Sequence, residues 1–271
     1  TLSLHDALPI FKEVIVNKHI LKGKLKYEGL TFKTKGWGDV LVLEYNGALS
    51  VDVKFVDTGY TTTTRIEDLN NGTIKDYLKP SVFGVGILGA PNKTKGGLSK
   101  EYTLWCRVLE RCYDGKLHEK YPTYEQCTVS DNFRHFLYFE EWCKAQVGFS
   151  SKDGKGKPFA LDKDILLKGS KVYSEDTCCF VPCEINNLFT KSNSVRGTYT
   201  IGISRHEQTG KFHARVNISG EMTHLGLFET EIEAFTVYKQ VKEAYIKHLA
   251  EKWKATAQHI LSVIITTHLH E

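Results

Sequence analysis

Hydrophobic and polar residues alternate most regularly in the C-terminal third, over GISRHEQTGKFHARVNISGEMTHLGLFETEIEAFTVY at residues 202–238. Three short runs of period two are joined by turn-rich tripeptides, which predicts antiparallel hairpins. The runs are Ile201 to His206, Phe212 to Ile218 and Met222 to Phe228, with Gln208-Thr209-Gly210 and Ser219-Gly220-Glu221 as the turns. Alternation puts Phe212, Ala214, Val216 and Ile218 on one face of the second strand, and His213, Arg215 and Asn217 on the other. Ile201, Ile203 and Leu225 fall on the inner side; Ser204, His206 and His224 fall on the outer side. Thr230 with Glu233 forms a capping box. Ala234, Val237, Tyr238, Val241, Ala244 and Tyr245 then recur at helical spacing. That helix is predicted to cover the inner sheet face, leaving a polar, cationic face for solvent or a ligand.

Upstream, VLVLEY (40–45), VDVKFVD (51–57) and YTTTTRI (60–66) alternate in the same way. Asn46-Gly47, Thr58-Gly59 and Asn70-Asn71-Gly72 mark turns between and after them. Residues 80–100, rich in Gly, Lys and Pro, read as a linker. The period then changes to helical. YTLWCRVLERCYD carries Leu104, Trp105, Val108, Leu109 and Cys112 on one side. NFRHFLYFEEWCKAQVG predicts a second helix, whose stripe of Phe133, Phe136, Leu137, Phe139 and Trp142 reads as core rather than as a base-stacking platform. After a Lys/Gly loop at 152–157, PFALDKDILLKGSKVYSEDTCCFVPCEINNLF reads as strand, loop, strand and helix start, a ββα layout. Asp162 and Asp164 then share a face of the first strand, and Asn186 and Asn187 open the helix.

Composition narrows the picture. The chain has 271 residues and a net charge of +4, enough length for several small domains with cores of their own. A mildly basic balance is compatible with nucleic acid without pointing to it. No apolar run reaches membrane-span length, and ILSVIITTHL (260–269) reads as a final strand or a packed helix end. The seven cysteines include no Cys-x-x-Cys pair. Reduced thiols in a cytoplasmic protein are the reading, rather than zinc or disulfides. Residues 1–10, TLSLHDALPI, resemble a translated sequencing-library adapter and are set aside from the fold, the native start being expected near Phe11 or missing.

The pattern G-x-S-x(5)-G-K-F-x-A-R-V-x-I-x-G-x(3)-H-L-G-x-F-x-T-x-x-E-A resembles the apetala-two/ethylene-response-factor DNA-binding domain, in the form found in phage and mobile-element proteins. The resemblance implies a three-stranded sheet docked in the major groove of double-stranded DNA. It puts the contacting strand positions on Ser204, His206, Arg215, Asn217 and His224. Several of these are Arg or Trp in the plant members, so the preferred DNA sequence stays open and base readout is weaker. Arg215 is the leading contact, because a bidentate Arg–guanine pair is worth roughly 1–3 kcal/mol of discrimination. Arg205 and Lys211 are expected on phosphates, which position without specifying.

The LDKD run at 161–164, with WCRVLERCYD, PTYEQCTV and EINN, resembles the divergent phage branch of HNH-type homing endonucleases over residues 101–195. This implies one divalent metal, Mg²⁺ or Mn²⁺, held by Asp162 and Asn186. Hard oxygen donors suit such an ion better than they suit zinc. The middle Asn of the family falls on Thr177, and its general-base His falls on Lys163. A lysine of ordinary pKa, about 10.4, cannot take a proton at neutral pH. Lys163 therefore contacts phosphate, or the site is impaired; His118 and His135 are the nearest other bases in sequence. Asp162 and Asp164 also admit a plainer role, capping turns or pairing with Lys163, Lys168 or Lys171. DVLVLEYNGALSVDVKFVDTGYTTTT is similar to the SH3-like small-barrel module that precedes nuclease cores in phage proteins.

The chain thus reads as α+β and multi-domain. A small N-terminal β-barrel-like module (11–90) precedes a helical and ββα core (101–195), and a three-stranded antiparallel sheet packed on a helix (196–271) follows. The expected function is a DNA endonuclease targeted by its C-terminal sheet, working in a bacterial host cell on double-stranded DNA, with no membrane and no obligate protein partner. A DNA-binding protein with a dead nuclease core, and a structural phage protein, are the competing readings.

Overall fold

A computed structural model describes residues 18–91, 98–189 and 198–254. The expectations for residues 1–10 and for ILSVIITTHL lie outside these residues. Helices and sheets are mixed along the chain. Among the described residues no helix is long and apolar enough to cross a membrane. The chain divides into two compact units, one from Thr1–Leu109 with Arg134–Leu137, the other from Glu110–Phe133 with Tyr138–Glu271.

The first unit holds helix α1 (residues 18–27) and strands β1 (Thr31–Lys33), β2 (Asp39–Tyr45), β3 (Val51–Phe55) and β4 (Thr61–Thr64). They form an antiparallel meander in the order β1-β2-β3-β4. The sheet is open, which corrects the barrel expected here. Closure needs the first and last strands to pair, and β1, only three residues long, pairs with β2 alone. Inward residues of β2 and β3, namely Val40, Val42, Val51, Val53 and Phe55, make a core with Leu69 from α2 (Ile66–Asn71) and with Ile74.

Residues 80–91 are not a free linker. Val82 bridges Gly86, Ile87 bridges His135, and the amide of Phe136 donates to the Ile87 carbonyl. A Cβ on Gly86 would lie 2.7 Å from the Trp105 ring, so the backbone is packed directly on helix α3 (Lys100–Tyr113). The unit boundary cuts α3 instead of falling near residue 100.

In the second unit α4 (Gly115–Lys120) is capped by Asp114, whose carboxylate accepts from the Lys116 and Leu117 amides. Strand β5 (Thr128–Val129) follows. The second predicted helix is broken into α5 (Asp131–Arg134) and α6 (Phe136–Ala145), with the break at the bridging residue His135. Phe133, Phe136, Phe139 and Trp142 are buried as the helical period requires, but Leu137 is exposed. Strand β6 (Ala160–Asp162) pairs antiparallel with β8 (Cys179–Val181), while β7 (Val172–Tyr173) pairs parallel with β5. Helix α7 (Cys183–Phe189) follows β8 and packs on β6, completing a ββα unit.

The C-terminal sheet is three-stranded and antiparallel, in the order β11-β10-β9. Its strands are β9 (Ile203–Arg205), β10 (Phe212–Ile218) and β11 (Glu221–Phe228). β9 is shorter than predicted, and Ile201 precedes it, exposed. Helix α8 (Glu231–Trp253) starts at the predicted Thr230–Glu233 capping box. Ala234 and Tyr238 are buried against Ile203, Ala214 and Val216, with Phe235 and Val241 beside them. Ala244, expected in this stripe, is exposed. Gly202 is needed where β9 meets α8: its φ is +79°, and a Cβ would lie 2.2 Å from the Tyr238 ring.

Candidate nucleic-acid interface and active site

Once α8 covers one face of the C-terminal sheet, the other face carries Ser204, His213, Arg215, Asn217, Met222, His224 and Leu227, as the strand register fixes. Arg215 stands directly opposite His224 and donates from Nη2 to Ser204 Oγ at 3.4 Å. No carboxylate pairs with it among the described residues. Asn217 is exposed on the same face, but its Oδ1 accepts the Gly220 amide and so closes the β10–β11 turn.

The two residues expected on phosphates are placed differently. Arg205 pairs in register with Phe212, which puts it at the margin of the helix-covered face with its guanidinium 5.5 Å from the Phe212 ring. Lys211 is held by Glu229 at 2.5 Å. His206 lies just past β9, sharing a hydrogen bond with Thr209 Oγ1 at 3.0 Å.

His213 is a residue that alternation put on this face without marking it as a contact. Its ring lies 4.4 Å from that of His224 and 6.2 Å from that of His206, and His213 Nε2 and His224 Nδ1 share a hydrogen bond. Partial burial, then the neighbouring His224, Arg215 and His206, hold its pKa below the usual histidine value. The signal that could have found it is its period-two spacing from Arg215.

In the ββα unit Asp162 ends β6. Its Oδ1 accepts the amides of Asp164 at 2.7 Å and Ile165 at 3.0 Å. This turn takes the chain out of the strand, so Asp164 does not share a strand face with Asp162 as expected; the carboxylate competes with the ladder for the amides that would extend it. Burial raises the Asp162 pKa, with the charge of Asp164 adding to it and the two amides opposing.

Lys163 is turned inward. Its ammonium donates to both Asp164 oxygens at 2.8 and 2.9 Å and to the Ser170 carbonyl at 2.5 Å. The residue is only 8 % exposed. It braces the loop from within and does not present its charge to a phosphate. Thr177 is likewise internal, donating to the Val172 carbonyl at 2.7 Å and accepting the Ser174 amide. Asn186 sits in the middle of α7, the helix that packs on β6, and its Oδ1 is buried.

Of the two alternative bases, His118 donates from Nε2 to the Arg111 carbonyl at 2.8 Å. His135 is exposed and belongs to the other compact unit. All seven cysteines are free thiols, and burial pushes Cys178 and Cys179 up to about 12.

Among the described residues no group of three or more His, Cys, Asp or Glu side chains converges as a metal site. The two expected ligands, Asp162 and Asn186, stand on adjoining elements, and the Asn186 Oδ1 is closed off from solvent. Carboxylate and amide oxygens are the donor type that Mg²⁺ or Mn²⁺ takes and that zinc disfavours. None of the family models, curated proteins or solved structures compared with the chain matches it.

Proposed function

We propose that the protein binds double-stranded DNA through the outer face of its C-terminal sheet, and that it is an HNH-type endonuclease hydrolysing phosphodiester bonds with Mg²⁺ or Mn²⁺. The observation that carries this reading is the division of the sheet into two faces. One is buried on α8; the other leaves Arg215 in solvent between strands, with His213 and His224 beside it. Asp162 and Asn186 would hold the metal, which when bound neutralises charge on the scissile phosphate and the leaving oxygen. Asp164 and Lys163 brace the loop that sets the direction of Asp162. Targeting by the sheet and cleavage by the ββα unit fit a mobile-element nuclease of the divergent LDKD branch.

A second reading, a DNA-binding regulator with an inactive core, is favoured by Lys163. It occupies the family's general-base position, yet its ammonium is committed to Asp164 and Ser170. Incubation with supercoiled plasmid and Mg²⁺ or Mn²⁺ separates the two. Nicking that is lost in Asp162→Ala supports the enzyme. Salt-dependent DNA binding with no nicking in either metal supports the regulator. Absence of salt-dependent binding rejects both.

A further inference from the structure

The outer sheet face carries one guanidinium, which no carboxylate pairs with among the described residues, little for a surface that must hold a polyanion. A richer store of charge lies at the hairpin end of the same sheet. There a cavity of about 430 Å³ is bounded by loop 152–157, α7, the β10–β11 turn and α8. Among the described residues Lys155, Lys157, Lys242 and Lys252 line it, against the carboxylates Asp153 and Glu184.

Both carboxylates have other work. Asp153 Oδ1 accepts the Lys155 and Lys157 amides, each at 2.9 Å. Glu184 Oε1 accepts from Lys252 Nζ and Trp253 Nε1, each at 2.6 Å. Lys155 donates to the Ser219 carbonyl at 3.1 Å, which ties the loop to the turn. Lys242 is half-buried and, among the described residues, is in no ion pair; Lys157 is within electrostatic reach of Asp153. Burial alone lowers the Lys242 pKa, and the charge of a bound anion would oppose that shift. Lysines scattered on a surface do not make a site. A cavity in which the lysines outnumber the carboxylates, with a desolvated ammonium among them, selects anions.

We propose that this lysine-lined cavity is a phosphate-binding site, and that it takes backbone phosphates of DNA leaving the sheet toward α7. The inference rests on the DNA-binding reading above and adds an anchor for the backbone that the sheet face lacks. Asn217 lines the cavity and also belongs to the outer face, so one strand could pass from the face to the cavity without a break.

The test uses the full chain, a short duplex and fluorescence anisotropy over a range of NaCl concentrations. The expected result is that Lys157→Gln and Lys242→Gln each make the slope of log K against log[NaCl] shallower, by roughly 0.9 for every phosphate no longer neutralised. Lys239→Gln on α8, whose lysine pairs with Glu243, is the control for a general change of charge. Thermal unfolding confirms that each variant is folded. A second arm measures stabilisation by inorganic pyrophosphate, expected in the wild type and abolished in Lys242→Gln.

If the wild type binds DNA and neither the slope nor the pyrophosphate effect responds to the variants, the cavity proposal is overturned while the sheet reading stands. A pyrophosphate effect abolished in Lys242→Gln, with an unchanged DNA slope, supports a site for small phosphates and overturns its assignment to DNA. A wild type that shows no salt-dependent DNA binding rejects the sheet reading, and with it the DNA part of the proposal.

Discussion

Glu184 Oε1 accepts a hydrogen bond of 2.6 Å from the indole Nε1 of Trp253. Glu184 opens α7 of the ββα unit and Trp253 closes α8 of the sheet, so this one oxygen joins the two parts of the second compact unit. Lys252 reaches the same oxygen at 2.6 Å, and Phe159 packs edge-on against the Trp253 ring at 5.5 Å.

Replacing this acceptor should loosen the join without dissolving either part. Glu184→Ala leaves a partly buried indole N–H without its partner, a loss of about 1–3 kcal/mol. Urea denaturation should give a lower midpoint, and hydrogen exchange should quicken at the end of α8 before it does in β10. A midpoint equal to that of the wild type would show that the packing of Trp253 holds the join without Glu184.

Asp162 gives a test with a defined sign. Its pKa is raised in the folded state, so the folded protein binds a proton more readily than the unfolded chain. The contribution of this carboxyl to stability is present below the ordinary aspartate value, about 3.9, and is lost as pH rises through the raised one. In Asp162→Asn the amide oxygen can still accept the Asp164 and Ile165 amides, while the charge is gone. The variant should therefore be more stable than the wild type at neutral pH, and the difference should shrink under acid. Chemical denaturation at the two pH values measures it. The same variant should bind Mn²⁺ more weakly.

What the sequence disclosed follows from the range of its signals. Period-two alternation and the Thr230–Glu233 cap are local, and they located the C-terminal sheet and its helix. Features set by tertiary competition were not legible. Leu225 is an extra residue between Ala214 and Arg215 in the β10–β11 ladder, and Gly226 beside it has φ +139°. That bulge lets both Leu225 and Phe228 reach the core and turns Leu227 outward. Alternation alone put Asp164 on the strand, whereas the turn capped by Asp162 and the Asp164–Lys163 pair match the plainer role that the sequence also admitted. The cavity lysines come from loop 152–157 and from α8, so no spacing rule links them.

Gly202 fixes the distance between β9 and α8. A Cβ there would lie 2.2 Å from the Tyr238 ring and 2.9 Å from the Arg215 carbonyl, at a φ of +79°. Gly202→Ala must move the ring or the strand, at a cost of about 1–3 kcal/mol. Thermal unfolding should show it. DNA affinity should fall as well, because the amide of Arg215 donates to the Gly202 carbonyl at 2.8 Å.

Arg215→Ala should leave the fold intact, because the side chain is exposed and among the described residues donates to Ser204 alone. Its effect belongs to binding. If the guanidinium reads a base, discrimination between duplexes should drop by roughly 1–3 kcal/mol. If it meets phosphate only, affinity should fall equally for all sequences and the salt slope should become shallower. Competition titrations with specific and random duplexes separate these cases. Unchanged affinity for every duplex would remove Arg215, and the outer face with it, from the interface.

The histidines beside Arg215 make the last prediction one of pH. In the free protein the pKa of His213 is depressed, so folding expels a proton and stability should decline as pH falls through the ordinary histidine value, about 6.5. Binding to DNA reverses the local field. His213 faces His224, His206 and Arg215, and phosphate would bring negative charge to this cluster. Protonation is then favoured in the complex, and binding should take up protons. Affinity should rise between about pH 7.5 and about pH 5.5 at constant ionic strength, even as the free protein becomes less stable. His213→Gln should flatten the dependence without abolishing binding. A wild-type affinity that does not change with pH would mean that the histidine cluster stays remote from the phosphates.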